Sequence, residues 1–343
     1  MNIAAWRTGV AAKLESDPDL DPYFSTPMKT FAFVFPGQGA QSVGMLDAWG
    51  DHPAVVQALQ EASDALGEDL GRLIKDGPKE ALALTTNTQP VMLVAGIAAY
   101  RAWRAEGGAE PAVVAGHSLG EYTALVAAGA LSLADAAPLV RFRAEAMQQA
   151  TPVGSGAMAA ILGLEAQKVI EGCAEALRLL GTNTGEAVEA ANFNDPAQTV
   201  IAGSKAAVDK ACEVLKAMGA KRALLLQVSA PFHSSLMKPA AERLKERLAA
   251  TPMRAPRIPV VNNIEVQVET DPDRIRAALY QQAFGPVRWV ECVRAIQARG
   301  AATLIECGPG KVLAGLVKRI DPALASAALY DPATLAEVKG LLA

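Results

Sequence analysis

The stretch Gly116-His117-Ser118-Leu119-Gly120 constrains this chain more than any other. It follows the apolar run Ala112-Val113-Val114-Ala115 and precedes a helix-like segment over residues 121–130. A strand, a glycine-flanked serine and a helix in that order make a nucleophile elbow, which needs a buried sheet to stand on. Glycines on both sides let the backbone bend without Cβ clashes. Ser118 then projects its hydroxyl at the end of the sheet. The N–H of Leu119 points to the same spot from a helix N-terminus, where it can stabilise an oxyanion. A helix start with Ser118 as an ordinary capping hydroxyl is the plainer alternative.

Strands alternating with helices on either side of the elbow imply a mostly parallel sheet covered on both faces. Phe31-Ala32-Phe33-Val34-Phe35 reads as a buried strand ended by the Gly-rich turn Pro36-Gly37-Gln38-Gly39. Helices are expected over residues 53–66 and 89–106, and from a Ser132 N-cap to about Ala150. Beyond the break at residues 154–156 the order changes to strand 157–162, helix 166–180, strands 188–194 and 199–202, helix 204–218 and strand 223–228. That is the split βαβ, or ferredoxin-like, motif. It places a small inserted domain at residues 155–229, with Gly181-Thr182-Asn183-Thr184-Gly185 as an exposed loop. The larger pattern then resumes: helix 235–250, strand 258–262, helices near 271–283 and 287–299, strand 303–306 and helix 312–320. Residues 28–154 and 230–343 thus form a large, hydrolase-like α/β domain. Residues 1–27 read as an N-terminal extension, an expression remnant or a start placed too early, and a strand is expected to begin at Met28.

Composition excludes several function classes. With 343 residues, 51% of them hydrophobic, the chain can bury a sizeable core. A net charge of −4 argues against a general nucleic-acid binder. No run reaches the ~18 apolar residues of a membrane span, and no secretory signal opens the chain. Cys173, Cys212, Cys292 and Cys307 are far apart, without metal-site spacing, and read as reduced thiols of a cytoplasmic protein. With only three histidines, His52, His117 and His233, the composition argues against a His-rich metal site.

A serine nucleophile needs a base. His117 adjoins Ser118, but its side chain should point away from the hydroxyl, as a packed structural histidine. His52 sits in a polar helix entry. His233, in Ser229-Ala230-Pro231-Phe232-His233-Ser234, lies in a loop at the end of an element, where catalytic residues of α/β folds collect. Elimination and context favour His233, with an exposed loop histidine as the alternative. No convincing acid stands between Ser118 and His233; Asp195 is the best rival for that role.

Helix 133–150 is apolar on one face, yet carries Arg141 and Arg143 near its middle. One can face solvent while the other turns inward. An inward guanidinium needs a carboxylate partner, either in a structural salt bridge or on a substrate.

Taken together, these motifs resemble the acyltransferase family of fatty acid and polyketide synthesis, which includes the malonyl-CoA:acyl-carrier-protein transacylases. The likeness runs from about Phe31 to the C-terminus. It rests on Phe35-Pro36-Gly37-Gln38-Gly39-Ala40-Gln41, Thr88-Gln89-Pro90, Gly116-His117-Ser118-Leu119-Gly120-Glu121 and Asn192-Phe193-Asn194. Pro231-Phe232-His233, Val261-Asn262-Asn263 and Gly308-Pro309-Gly310-Lys311 complete the set. The resemblance implies that Ser118 is acylated, with His233 as its base, held by a backbone carbonyl at Gln282. It implies an oxyanion hole from the N–H groups of Gln38 and Leu119. Arg143 would select the acyl carboxylate. Gln89, Met147 and Asn192 would line the site, and the bulk of Phe232 would disfavour an α-methyl branch.

The implied reaction moves a malonyl group from malonyl-CoA to the phosphopantetheine thiol of acyl carrier protein, in a cleft between the two domains. It needs no metal and no cofactor. The other readings are a discrete polyketide-synthase acyltransferase, a serine esterase or thioesterase, and a non-catalytic carrier-binding subunit. Lys216, Lys221, Arg222 and Lys238 are candidates for a basic patch facing an acidic carrier, or an ordinary solvated surface.

Overall fold

The computed structural model describes residues 30–181 and 185–343. The expected extension at residues 1–27, the strand start at Met28, and Thr182, Asn183 and Thr184 of the expected loop lie outside the described residues.

The chain opens with β1 (Phe31–Phe35), α1 (Pro53–Leu66), α2 (Leu70–Asp76), α3 (Lys79–Ala83) and α4 (Thr85–Ala105). The elbow follows as β2 (Val113–Gly116) and α5 (Leu119–Ala127), then α6 (Leu133–Gln149). Next come β3 (Gly156–Leu162), α7 (Ala166–Leu180), β4 (Val188–Asp195), β5 (Gln198–Ser204), α8 (Lys205–Ala217) and β6 (Arg222–Leu225). The remainder is α9 (Lys238–Ala250), β7 (Val260–Val261), α10 (Pro272–Gln282), α11 (Trp289–Ala298), β8 (Thr303–Cys307), α12 (Val312–Ile320), β9 (Ala325–Leu329) and α13 (Pro332–Leu342).

Two sheets result. The first is parallel throughout, in the order β7-β2-β1-β8-β9. All five residues of β1 are buried, because helices cover both faces of such a sheet. The second is antiparallel, in the order β4-β5-β3-β6, with the ferredoxin-like connection. One of its faces packs Ile161 against Val169, Cys173, Val208 and Leu215 of α7 and α8. Strand β4 of the antiparallel sheet is tied to the segment between α10 and α11, where Val287 N donates to Ala191 O and Phe193 N to Val287 O, each at 2.9 Å.

Several expected boundaries move. Helix α4 begins at Thr85, a turn earlier than residue 89, and takes Pro90 inside. Its polar start, Thr85-Thr86-Asn87-Thr88, resembles a loop. It folds because Asn87 and Thr88 side chains bond the carbonyls of Ala81 and Leu82 at 2.9 and 2.7 Å. Helix α5 starts directly after Ser118, two residues before the expected start. The expected helix over 235–250 opens with a single 3-10 turn, Ser235–Met237. The expected strand at 258–262 shrinks to Val260–Val261. Helices α2 and α3, and the final pair β9 and α13, have no counterpart in the expected elements.

Candidate active site

Strand β2 ends at Gly116 and α5 starts at Leu119, so the chain reverses within two residues. Ser118 takes φ 53°, a left-handed conformation uncommon outside glycine. The glycines serve close approach here. A Cβ on Gly116 would stand 1.8 Å from the Gly120 carbonyl carbon, and one on Gly120 2.1 Å from Phe35 O. The Ser118 side chain caps no helix N–H. It meets His233 instead, with Oγ to Nε2 at 2.7 Å.

His233 also has positive φ, 62°, and is buried. Its Nδ1 donates to Gln282 O at 2.9 Å and Gly285 O at 3.1 Å. Two carbonyl acceptors fix the proton on Nδ1 and leave the Nε2 lone pair for Ser118. Asp195 is elsewhere: it pairs with Arg319 at 2.7 Å and caps Ala197 N, so it is not the partner of the histidine. His117 turns away from the hydroxyl, with Nε2 2.8 Å from Asn194 Oδ1 and its ring against Trp289. His52 caps Ala54 at the start of α1.

Burial, and after it the positive charge of Arg143, pushes His233 down from an ordinary 6.5 to about 3. The imidazole is therefore neutral, and proton-free at Nε2, in the folded protein at neutral pH. Between pH 6.5 and about 3 the unfolded chain binds a proton there that the folded one refuses, so this residue lowers stability as pH falls through that window. An NMR titration should find the His233 ring still neutral at pH 5; protonation centred near 6.5 would contradict this environment.

Arg141 and Arg143 diverge as the helix pattern allows. Arg141 reaches Glu68 through two bonds of 2.7 Å at the surface. Arg143 is only 2% exposed. Its Nη1 donates to Gln89 Oε1 at 2.8 Å; its Nη2 donates to Gln282 Oε1 at 3.0 Å and Ser118 Oγ at 3.2 Å. Its guanidinium lies over the Tyr122 ring at 5.3 Å. None of these partners is a carboxylate.

Ser118, His233, Arg143, Gln89 and Leu119 all line one cavity of about 150 Å³. Gln38, Met147, Asn192 and Phe232 line it too, and Met158, Leu226 and Val228 close it from the antiparallel sheet and the segment after it. Gln282 stands behind the cavity, fully buried. The N–H groups of Gln38 and Leu119 have no hydrogen-bond partner among the described residues. The turn carrying Gln38 is braced from below: a Cβ on Gly37 would stand 2.8 Å from His117 O, and one on Gly310 2.8 Å from the Ala40 Cβ.

Sequence reasoning gave no role to Asn263, Glu121 or Gly285. Asn263 Oδ1 accepts from Ser118 N at 2.8 Å and its Nδ2 donates to Gly116 O at 2.7 Å, clamping both sides of the elbow. Glu121 Oε2 accepts from Asn263 N at 2.9 Å and Gln282 Nε2 at 3.0 Å. Burial raises the Glu121 carboxyl to about 7. Asn263 lies in the Val261-Asn262-Asn263 motif, and Glu121 is the sole charged residue of the elbow helix; those are the signals the sequence holds. Asn263→Ala strands two buried backbone groups and should lower stability by about 2–5 kcal/mol. Urea unfolding measures this, and a loss within 0.5 kcal/mol, on the order of an ordinary surface substitution, would show that the elbow holds itself.

The acyl transferase domain profile matches residues 32–336. The chain belongs to the acyl transferase domain family. It is 51% identical over 310 residues to the malonyl CoA-acyl carrier protein transacylase of Escherichia coli (strain K12), covering 90% of this chain and 98% of that one. Among solved structures, the acyl-carrier-protein S-malonyltransferase from Burkholderia pseudomallei 1710b is 63% identical, with a TM-score of 0.87 over 90% of this chain and 99% of that one. A malonyl-transacylase in complex with its type II PKS acyl-carrier protein is 47% identical, with a TM-score of 0.86 over 90% and 98%.

The mixed α/β fold of family members, a parallel sheet with a separate antiparallel one, is the fold described above. All four cysteines are free and buried. Among the described residues no helix is long and apolar enough to cross a membrane, and no group of His, Cys, Asp and Glu could hold a metal ion. Lys216, Lys221, Arg222 and Lys238 are all exposed.

Proposed function

We propose that this chain transfers a malonyl group from malonyl-CoA to the phosphopantetheine thiol of acyl carrier protein, through a malonyl ester of Ser118, in fatty acid biosynthesis. One observation carries the reading. A serine paired with a neutral histidine shares a small cavity with an arginine that has no carboxylate partner among the described residues.

Ser118 attacks the thioester carbonyl while His233 Nε2 takes its proton. The carbonyl of Gln282 holds the other side of the ring in place of a triad carboxylate. The oxyanion is received by the N–H groups of Gln38 and Leu119. CoA leaves as the thiol, with the proton returned by His233. The carrier thiol then repeats the steps in reverse, using His233 as base once more. The malonyl carboxylate pairs with Arg143, a planar, permanently charged donor fork suited to it. Gln89 and Gln282 aim that fork; Met147, Asn192 and Phe232 shape the acyl pocket, and Phe232 leaves little room for an α-methyl branch.

In this reading residues 28–154 and 230–343 form the catalytic domain, and residues 155–229 the insertion that closes the cleft. Free, buried thiols favour a cytoplasmic setting.

The test separates transfer from hydrolysis. With labelled malonyl-CoA and phosphopantetheinylated carrier protein, label should move to the carrier faster than it appears as free malonate. Free malonate as the main product would make the chain a thioesterase. Parallel reactions with fatty-acid and polyketide carriers decide between the two synthases.

A further inference from the structure

The hydrogen-bond count at Arg143 implies more than recognition. Resting on the reading above, we propose that the carboxylate of the incoming malonyl group takes the Arg143 Nη2 hydrogen that the free protein directs at Ser118 Oγ, so that the correct substrate releases its own nucleophile.

A guanidinium carries five N–H bonds, two of them on Nη2. Both Nη2 hydrogens are engaged, one by Gln282 Oε1 at 3.0 Å and one by Ser118 Oγ at 3.2 Å. A guanidinium grips a carboxylate through one of two planar forks, Nε with Nη2 or Nη1 with Nη2. Both forks include Nη2. A bidentate carboxylate must therefore displace Gln282 or Ser118.

Gln282 is the less able to yield. It is fully buried, and its Nε2 is bound to Ser118 O at 2.9 Å and Glu121 Oε2 at 3.0 Å. The Ser118 bond faces the cavity that the acyl group enters, and it is the longer of the two.

Two effects then act together. A charged donor on Ser118 Oγ draws electron density from the attacking oxygen, and its departure restores it. The bare guanidinium also opposes the positive charge that His233 acquires as it takes the serine proton. The charged and titratable groups around this centre are Arg143 from α6, Glu121 and Tyr122 from α5, and His117 from the elbow. Arg143 is the largest electrostatic cause of the low His233 value, so pairing it with a carboxylate moves His233 upward. An acetyl group has no carboxylate and leaves both restraints in place. Selectivity then resides in the acylation rate as well as in binding.

The test uses an uncharged probe that does not need Arg143. Methanesulfonyl fluoride sulfonylates serine: Oγ attacks sulfur, fluoride leaves, and the proton passes to His233. Formate serves as the small carboxylate, with formamide and sodium chloride at matched concentration as controls. Modification of Ser118 is followed by mass spectrometry of the full chain. Formate should accelerate the wild-type reaction saturably, by about tenfold, the effect of one charge-assisted hydrogen bond, while the controls do nothing. Arg143→Ala should react faster than wild type without formate and ignore formate when it is added. A wild-type rate that formate leaves unchanged or slows overturns the proposal, whether or not the variant folds. Failure here is separable from failure of the functional reading, which would appear as an unchanged malonyl-over-acetyl preference in Arg143→Ala.

Discussion

Replacing Ser118 with alanine should reduce malonyl transfer by ~10⁴-fold or more while leaving the fold intact. The hydroxyl is the hydrogen-bond partner of His233 Nε2, at 2.7 Å, and it caps no helix N–H. Alanine and serine bear similar strain at φ 53°, so thermal unfolding should move little. No thiol can substitute. The cysteines are buried, and burial pushes Cys173 up to about 12 and raises Cys292 and Cys307 well above the ordinary thiol range. A folded Ser118→Ala protein that retains a tenth of wild-type transfer would mean that the acyl group is carried elsewhere.

Arg143→Ala should change what the protein selects. In the proposed complex the malonyl carboxylate lies in a buried pocket with Arg143 as its charged partner. Leaving that carboxylate unpaired costs roughly 2–5 kcal/mol. At ~1.4 kcal/mol per tenfold, that is about 30-fold to several thousandfold in malonyl-CoA specificity. Acetyl-CoA has nothing for the guanidinium to hold, so its rate should fall little or rise. The ratio of the two specificities is the measurement, because general damage lowers both. Equal losses in a folded variant would make Arg143 a structural residue, and Arg141, bound to Glu68 at the surface, offers no replacement.

Local signals make much of this fold legible in the sequence. Pro53 at the first turn and Gly67 after the last bracket α1, and both ends fall where expected. Ser132 accepts from Asp135 N and starts α6 as a cap should. The elbow is legible because three adjacent features, strand, glycine pair and helix, agree.

What escaped depends on contacts between distant parts of the chain. Asn263 meets Ser118 across 145 residues, and Gln282 meets Glu121 across 161. Gln282 was expected only for its carbonyl; that its side chain also holds Arg143 and the elbow is a property of the assembled site. Asp195 was a reasonable rival by residue type, but its strand points it at Arg319. The final strand, β9, is only half-buried and carries a weak apolar pattern, Ala325-Ser326-Ala327-Ala328-Leu329. Yet Asp331 and Thr334 form a capping box at the start of α13, a signal that was present in the sequence.

The malonyl-serine intermediate is the centre of this account, and it can be seen directly. The protein is mixed briefly with malonyl-CoA in the absence of carrier, quenched in acid, digested and analysed by mass spectrometry. The account predicts a malonyl adduct on the peptide containing Ser118, which disappears when carrier protein is added before the quench. An adduct on any cysteine, or labelling that persists in Ser118→Ala, would contradict it.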